Sequence, residues 1–368
     1  MLSPLRQSRK IKIGNVEIGG DAPVSIQSMT NTPTQDVDKT LAQIESLAKL
    51  GCDIIRVSVD NACDCAGLQE ITAASPIPVI ADIQFDASTA VGAIKAGAAG
   101  VRLNPGLVRD PVQLTPVAHA ALEYNIPVRV GVNSGSVGTD AVKKNIASGM
   151  SHDDAMIAAL VEAALRQCDQ LEKLGVSAIK VALKSSSVPI TVAAYKEFAA
   201  RTDYPLHIGI TEAGTYSRGI VKSAAGIGAL LLSGLGNTLR VSLTAPPEEE
   251  IIAGLMILES CGLRNAEPEI VSCPTCGRTE IDLAGLTGEV EKLITQIKSS
   301  GKKIMLRKIA VMGCPVNGPG EAKDADLGIA GSRSGEQLLI FKAGKILGAF
   351  PSSEGFAVFE QELRKNCR

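Results

Sequence analysis

A short β-rich apolar run recurs along the first two thirds of the chain, and its spacing constrains the fold more than any other feature. VSIQSMT begins at Val24, IIRVSV at Ile54, PVIADI at Pro78, GVRLNP at Gly100, PVRVGVN at Pro127, AIKVALK at Ala178, LHIGIT at Leu206 and TLRVSL at Thr238. Apart from the step from 127 to 178, which leaves room for an insertion, successive starts lie 22 to 32 residues apart. That is the length of a strand plus a crossover helix. The lead-ins LAKLGCDIIRV, IKAGAAGVRL and LEKLGVSAIKV each end a helix at glycine and then enter a strand. Eight such units predict a (β/α)8 TIM-type barrel. A doubly wound open sheet is the alternative, but no GxGxxG turn follows the first strand.

Barrel enzymes build their sites at the C-terminal ends of the strands. Taken in order, those ends carry Gln27 with Ser28, Arg56, Asp82, Arg102 with Asn104, Arg129 with Asn133, Lys180 and Lys184, His207 with Glu212, and Arg240 with Ser242. Charges inside a parallel strand must meet each other, water or a charged ligand. Internal salt bridges would account for any one arginine alone. The set is mostly cationic, opposed by Asp82 and Glu212, so the mouth is expected to be locally positive. Phosphate oxygens suit such a place, because Arg grips them with two parallel hydrogen bonds. A phosphorylated small molecule is the expected substrate.

Composition narrows the alternatives. The 37 basic and 39 acidic residues nearly cancel, so no global field favours nucleic acid, and with 3% aromatics and no Trp a base-stacking platform is hard to assemble. The N-terminal MLSPLRQSRK resembles neither a secretory signal nor a transit helix. The stretch from Ser223 to Gly236 falls short of the roughly 20 residues of a spanning helix and predicts a buried helix instead. Nine cysteines, an odd number, argue for reduced thiols or metal ligands. A cytoplasmic protein with no nucleic-acid or membrane partner is expected.

After a helix from Glu248 through Ser260, the polar stretch Gly262 to Pro268 is expected to link two domains, 1–262 and 263–368. The second domain carries CPTCGR at 273–278 and MGCPVNGPGE at 312–321. Cys273 and Cys276 sit three apart, and Cys314 comes from a Gly-rich loop, so three thiolates are available to one metal centre. A structural zinc would need a fourth ligand such as Cys261 or Cys367, since His119, His152 and His207 all lie in the first domain. The alternative is a 4Fe-4S cluster whose fourth iron takes an oxygen ligand, with Glu321 the candidate, or is left open. Scarce histidine favours the cluster. The CxC pair Cys63 and Cys65 is expected to be incidental, Cys52 and Cys168 to be small core residues, Cys367 to be exposed, and His119 and His152 to have no role. LGIAG, QLLIF and ILGAF predict strands, the last two a hairpin, before a final helix near 356–364. This domain is expected to be small and α+β.

Together, QSMTNT at 27–32, RLNPG at 102–106, VGVNSGS at 130–136, ITEAG at 210–214, CPTCGR and MGCPVNGPGE resemble the 4-hydroxy-3-methylbut-2-enyl diphosphate synthase family over almost the whole chain. The resemblance implies an iron–sulfur oxidoreductase of the non-mevalonate isoprenoid pathway. Its reaction opens 2-C-methyl-D-erythritol 2,4-cyclodiphosphate reductively, with a substrate oxygen on the unique iron. It further implies a barrel followed by a sulfite-reductase-like cluster domain, a head-to-tail homodimer, and ferredoxin or flavodoxin as electron donor. By resemblance the cluster ligands fall on Cys273, Cys276, Cys314 and Glu321, and the catalytic acid on Glu212, with Glu321 also catalytic. Substrate contacts fall on Arg56, Asp82, Arg102, Asn104, Arg129, Asn133, Lys184, His207, Arg240, Ser242 and Asn317. Two features depart from the family pattern: Pro315 after the third cysteine, and a longer separation between Cys276 and Cys314.

Overall fold

The computed structural model describes residues 4–84, 86–104, 111–264, 268–332 and 334–368, the side chains of Pro111, Ser299, Asn317, Pro319 and Glu321 excepted. The chain separates into two compact units, 1–264 and 265–368. The sequence-expected linker falls partly on 265–267, outside the described residues.

The first unit opens with a hairpin, β1 (Ile11–Ile13) and β2 (Val16–Ile18). Eight parallel strands follow: β3 (Ser25–Met29), β4 (Ile54–Val59), β5 (Val79–Ile83), β6 (Gly100–Leu103), β7 (Val128–Asn133), β8 (Ile179–Lys184), β9 (His207–Ile208) and β10 (Thr238–Leu239). Their order is β8-β7-β6-β5-β4-β3-β10-β9. A parallel bridge from Val181 to Leu206, with Val181 N donating to Pro205 O at 2.9 Å, joins the two ends into a barrel. The expected barrel is therefore present and the open sheet is excluded. The long interval before β8 holds two helices, Thr139–Ala147 and His152–Lys173. Of the apolar stretch Ser223 to Gly236, the part through Leu232 lies in the helix Tyr216–Leu232 and the rest follows it, and among the described residues no helix is long and apolar enough to cross a membrane.

Local chemistry explains the repeat. Helices ending before β4, β6, β8 and β10 stop at Gly51, Gly97, Gly175 and Gly234, all at positive φ. Each time the residue after the glycine donates its N–H back into the last turn: Cys52 to Leu47 O, Ala98 to Ala93 O, Val176 to Leu171 O and Leu235 to Leu230 O. This is the glycine stop that an L side chain would strain. At the other ends, Asp36, Asn61, Asp86 and Ser187 cap the helices that follow β3, β4, β5 and β8.

Along the strands the side chains alternate. Ile55, Val57, Val59, Val79, Ala81, Ile83, Val101, Leu103, Val128, Val130 and Val132 pack outward against the helices in one large core. The intervening positions turn inward and carry the charged residues. At the N-terminal end of the barrel the hairpin seals the interior, where Ile11, Ile13 and Ile18 pack against Ile54 and Ile80.

The second unit is a five-stranded sheet in chain order, β11 (Glu269–Ser272), β12 (Lys308–Met312), β13 (Leu327–Gly331), β14 (Gln337–Lys342) and β15 (Lys345–Pro351). The first three strands are parallel and the last two form the expected hairpin. Ile309, Val311, Leu327, Ile329 and Ile340 face the helices Leu283–Ser299 and Ser352–Arg364, burying Val290, Ile294, Phe359 and Leu363. Ala310, Met312, Ala330 and Phe341 form the opposite core. Cys367 departs from expectation. It is half-buried, with its thiol donating to Leu363 O at 3.3 Å, because the terminal segment bridges Ile304.

The hairpin seal carries a prediction. Ile13 is 1% exposed, so Ile13→Ala should destabilise the barrel by about 2–4 kcal/mol. Denaturant unfolding followed by circular dichroism measures this, and a loss below about 1 kcal/mol would mean that the hairpin does not seal the base.

Candidate functional site

Nearly all the inward-facing polar residues of the barrel are buried. Arg56, Asp82, Arg102, Asn104, Arg129, Lys180, Lys184 and His207 are each at most 8% exposed, while Asn133, Arg240 and Ser242 are half-buried. Asp82 is the hub. It receives Arg102 Nη1 at 3.1 Å and lies 3.6 Å from Arg56 Nε, while Arg102 Nη2 donates to Gly131 O at 3.2 Å. Burial disfavours the Asp82 charge, but Arg56, Arg102 and Arg129 together hold its carboxyl below the usual range. Two glycines make room for these heads. A Cβ on Gly131 would lie 2.7 Å from Arg102 Nε, and one on Gly209 would lie 2.6 Å from Lys184 Nζ.

Arg240 has a partner that the sequence reading missed. Its Nε and Nη2 reach the two Glu250 oxygens at 3.2 and 3.3 Å in a forked pair. Glu250 is itself buried and also accepts Ser28 Oγ and the backbone N–H of Leu243, both at 3.1 Å. Arg56 and Arg240 further converge on Met29 Sδ, with Arg56 Nη2 at 3.0 Å and Arg240 Nη1 at 3.7 Å. A thioether accepts weakly and neutralises nothing.

Inside the barrel, the cations Arg56, Arg102, Arg129, Lys180, Lys184 and Arg240 therefore face only the carboxylates Asp82 and Glu250 among the described residues. The surplus registers as depressed pKa values. Burial brings Arg56 down to about 10, with Asp82 opposing and Arg240 and Arg102 adding repulsion. Burial and neighbouring cations push Arg129, Lys184 and His207 well below their ordinary values. Arg129 Nε and Nη1 and His207 Nε2 have no hydrogen-bond partner, whereas His207 Nδ1 meets Thr238 Oγ1 at 2.6 Å. An interior of this kind is built for an anion.

Not every strand residue sits at the mouth. Lys180 is the second residue of β8, opposite Arg129, the second residue of β7, and both line the base of the barrel with Ile13 and Ile80. Both are expected from the sequence at the strand ends; the alternation of faces gives their direction but not their height. Glu212 lies on the loop after β9, exposed, at φ 52°, an uncommon conformation for a residue other than glycine. Of the RLNPG segment, residues 105 and 106 lie outside the described residues.

In the second unit, the loop that carries Cys273 and Cys276 meets the turn that carries Cys314. Gly313 N donates to Cys273 Sγ at 3.2 Å, and a Cβ on Gly313 would fall 2.7 Å from Thr279 Oγ1. Cys314 is buried, Cys273 half-buried and Cys276 exposed. From Cys314 the chain makes a wide helical turn over Val316–Glu321, Gly318 N bonding Cys314 O at 3.1 Å. The side chains of Asn317 and Glu321 lie outside the described residues. Among the described residues, no three Cys, His, Asp or Glu side chains close around a single ion. The thiols nonetheless fit an iron–sulfur group, because they come from adjoining loops and one already accepts the backbone N–H that tunes cluster sulfurs. Cys261, the other ligand considered for zinc, is buried in the core of the barrel unit. Cys52 and Cys168 are core residues as expected, and Cys65 donates to Thr89 O.

These features define a class: a TIM-barrel protein with a cationic interior, followed by a cysteine-bearing α+β unit. The chain belongs to the GcpE family, with residues 8–255 matching its TIM-barrel domain and 269–365 its C-terminal domain. A relative from Geobacter sulfurreducens is 48% identical over 98% of both chains, and one from Caldanaerobacter subterraneus subsp. tengcongensis is 48% identical over 94% of this chain and 93% of its own. Lawsonia intracellularis has another, 45% identical over 98% of this chain and 96% of its own. All three are named 4-hydroxy-3-methylbut-2-en-1-yl diphosphate synthase (flavodoxin).

Asp82 gives a pH prediction. A carboxyl whose folded pKa is depressed contributes stability that is complete above its unfolded value near 3.8 and is lost as pH falls through the folded value. Thermal melts from pH 7 down to pH about 3 should show a steeper acid loss for wild type than for Asp82→Asn. Parallel curves would mean that the Asp82 charge is not held by its arginines.

Proposed function

We propose that this chain catalyses the reductive ring opening of 2-C-methyl-D-erythritol 2,4-cyclodiphosphate to 4-hydroxy-3-methylbut-2-enyl diphosphate, in isoprenoid biosynthesis by the non-mevalonate route. The observation that carries the reading is the cation surplus inside the barrel of a GcpE-family chain. Two phosphoryl groups bring the charge that Arg129, Lys184 and the unshared donors of Arg56 and Arg102 lack. Asn104, Asn133 and Ser242 stand beside them at the strand ends, suited to orient the sugar-derived carbon chain. As the ring opens, one phosphate oxygen becomes a free leaving group. Fixed guanidinium donors in a dry interior stabilise that developing charge without reorganising.

Glu212 is the proton donor in this reading, delivering a proton to the departing hydroxyl so that it leaves as water. Its exposed loop position lets it recover a proton from solvent between turnovers. Cys273, Cys276, Cys314 and Glu321 are the residues to hold a 4Fe-4S cluster, which when bound supplies the two electrons of the reaction. Flavodoxin, which the names of the relatives carry, is the donor favoured over ferredoxin. The working form in this reading is a cytoplasmic homodimer.

The test is an anaerobic assay of reconstituted protein with the cyclic diphosphate and a strong reductant, alongside iron and sulfide analysis. Wild type should hold about four of each per chain and turn over. Cys314→Ser should lose iron and activity together. Glu212→Gln should keep its iron and lose about 10²–10⁴-fold in kcat. Zinc in place of iron, or full activity in Glu212→Gln, would overturn the assignment.

A further inference from the structure

Lys180 is buried more completely than the cations above it. It is 1% exposed, and its Nζ has no hydrogen-bond partner. It stands four residues below Lys184, about 13 Å of extended strand at 3.3 Å per residue. The cavity beside it, walled by Ile13, Ile80, Pro127 and the cation Arg129, has a volume of about 10 Å³, at the lower limit for a single water. Hydration there is limited to one water at most. The hairpin below presents Ile11, Ile13 and Ile18 to the interior, and these support no ammonium.

The charged groups around it do not support an ammonium either. Arg129 lies opposite on β7, and Arg56 on β4 adds further repulsion. His207 on β9 and Lys184 on its own strand complete the basic neighbours, and the hydroxyl of Tyr195, from the helix Val188–Arg201, is spent on His207 O at 2.6 Å. Asp82, on β5, is already shared by Arg56 and Arg102, and Glu250 is committed to Arg240. Among the described residues no side chain accepts a hydrogen bond from Lys180 Nζ, and burial with these neighbours lowers its pKa far below the ordinary value. A ligand with two negative charges at the mouth reverses that balance.

We propose that Lys180 is a reserve cation of the ligand site: it takes one proton from solvent when a dianionic ligand enters the barrel, so that substrate binding and proton uptake are a single linked event. The proposal rests on the substrate reading given above. The amine becomes an ammonium, the proton comes from buffer, and no covalent bond to the ligand is made. Lys180 touches no substrate atom in this scheme and acts through the field it adds at the base of the barrel beside Arg129, as a positioning residue.

Calorimetric titration of the cluster-loaded protein with the cyclic diphosphate, without reductant so that no turnover occurs, tests this directly. Each phosphoryl group of that ligand keeps one strongly acidic oxygen, so the ligand itself does not titrate near neutral pH. Heats in two buffers of different ionisation enthalpy count the protons taken up. Wild type should absorb about one proton per ligand, and its affinity should fall up to tenfold per pH unit as pH rises from 7 to 9. Lys180→Met should lose most of that uptake and flatten the pH dependence while still binding, with Lys180→Gln serving if the methionine variant does not fold. Binding to wild type without uptake, or unchanged uptake in the folded variant, overturns the proposal and leaves the substrate reading intact. No binding in any buffer defeats the substrate reading itself.

Discussion

The barrel interior depends on one electrostatic imbalance. Parallel strands normally bury apolar side chains on both faces, because nothing inside a closed sheet can hydrate a charge. Here the inner face instead carries arginines and lysines, and among the described residues only Asp82 and Glu250 answer them from within. Asp82 is shared between Arg56 and Arg102, and Glu250 holds Arg240 as a fork. Arg129 keeps two donor nitrogens without partners. Such a surplus costs stability in the empty protein and is offset when an anion binds. Outward-facing Val, Ile and Leu, gathered in a continuous core against the helices, provide the compensating stability.

Much of this architecture was legible in the sequence because its determinants are local. Glycine stops such as Gly51 and Gly175 and the β-rich runs after them act within a few residues, and they repeat. Arg56, Asp82, Arg102 and Arg129 came together as expected because a period of two fixes which face a strand residue takes. Height along the barrel axis was not legible, since it depends on strand stagger, and Lys180 and Arg129, expected at the mouth, lie at the base. Glu250 was missed for another reason. It ends an acidic run, Glu248 to Glu250, at a helix N-terminus, where acids are expected on dipole grounds alone. The available signal was the distance of a single loop between Arg240 and that helix.

The cysteine-bearing unit follows a different logic. Its core is formed mainly by sheet and helices, with Cys273 packed only at its edge, and Cys273 and Cys276 lie on a loop beyond β11. The hydrogen bond from Gly313 to Cys273 ties that loop to the turn of Cys314, a register that spacing alone did not reveal. Gly313 serves this purpose because Thr279 occupies the place of a side chain. The longer interval between Cys276 and Cys314 is filled by the helix Leu283–Ser299 and by β12, ordinary elements of the unit.

That the barrel binds its ligand through charge can be measured most directly by comparing the cyclic diphosphate with the same carbon skeleton stripped of both phosphoryl groups. Titration of each into the full-length protein at low and at physiological salt should give tight binding of the diphosphate, weakened by salt, and no detectable heat from the neutral polyol. Comparable affinity for the two molecules would contradict a site built on surplus cations.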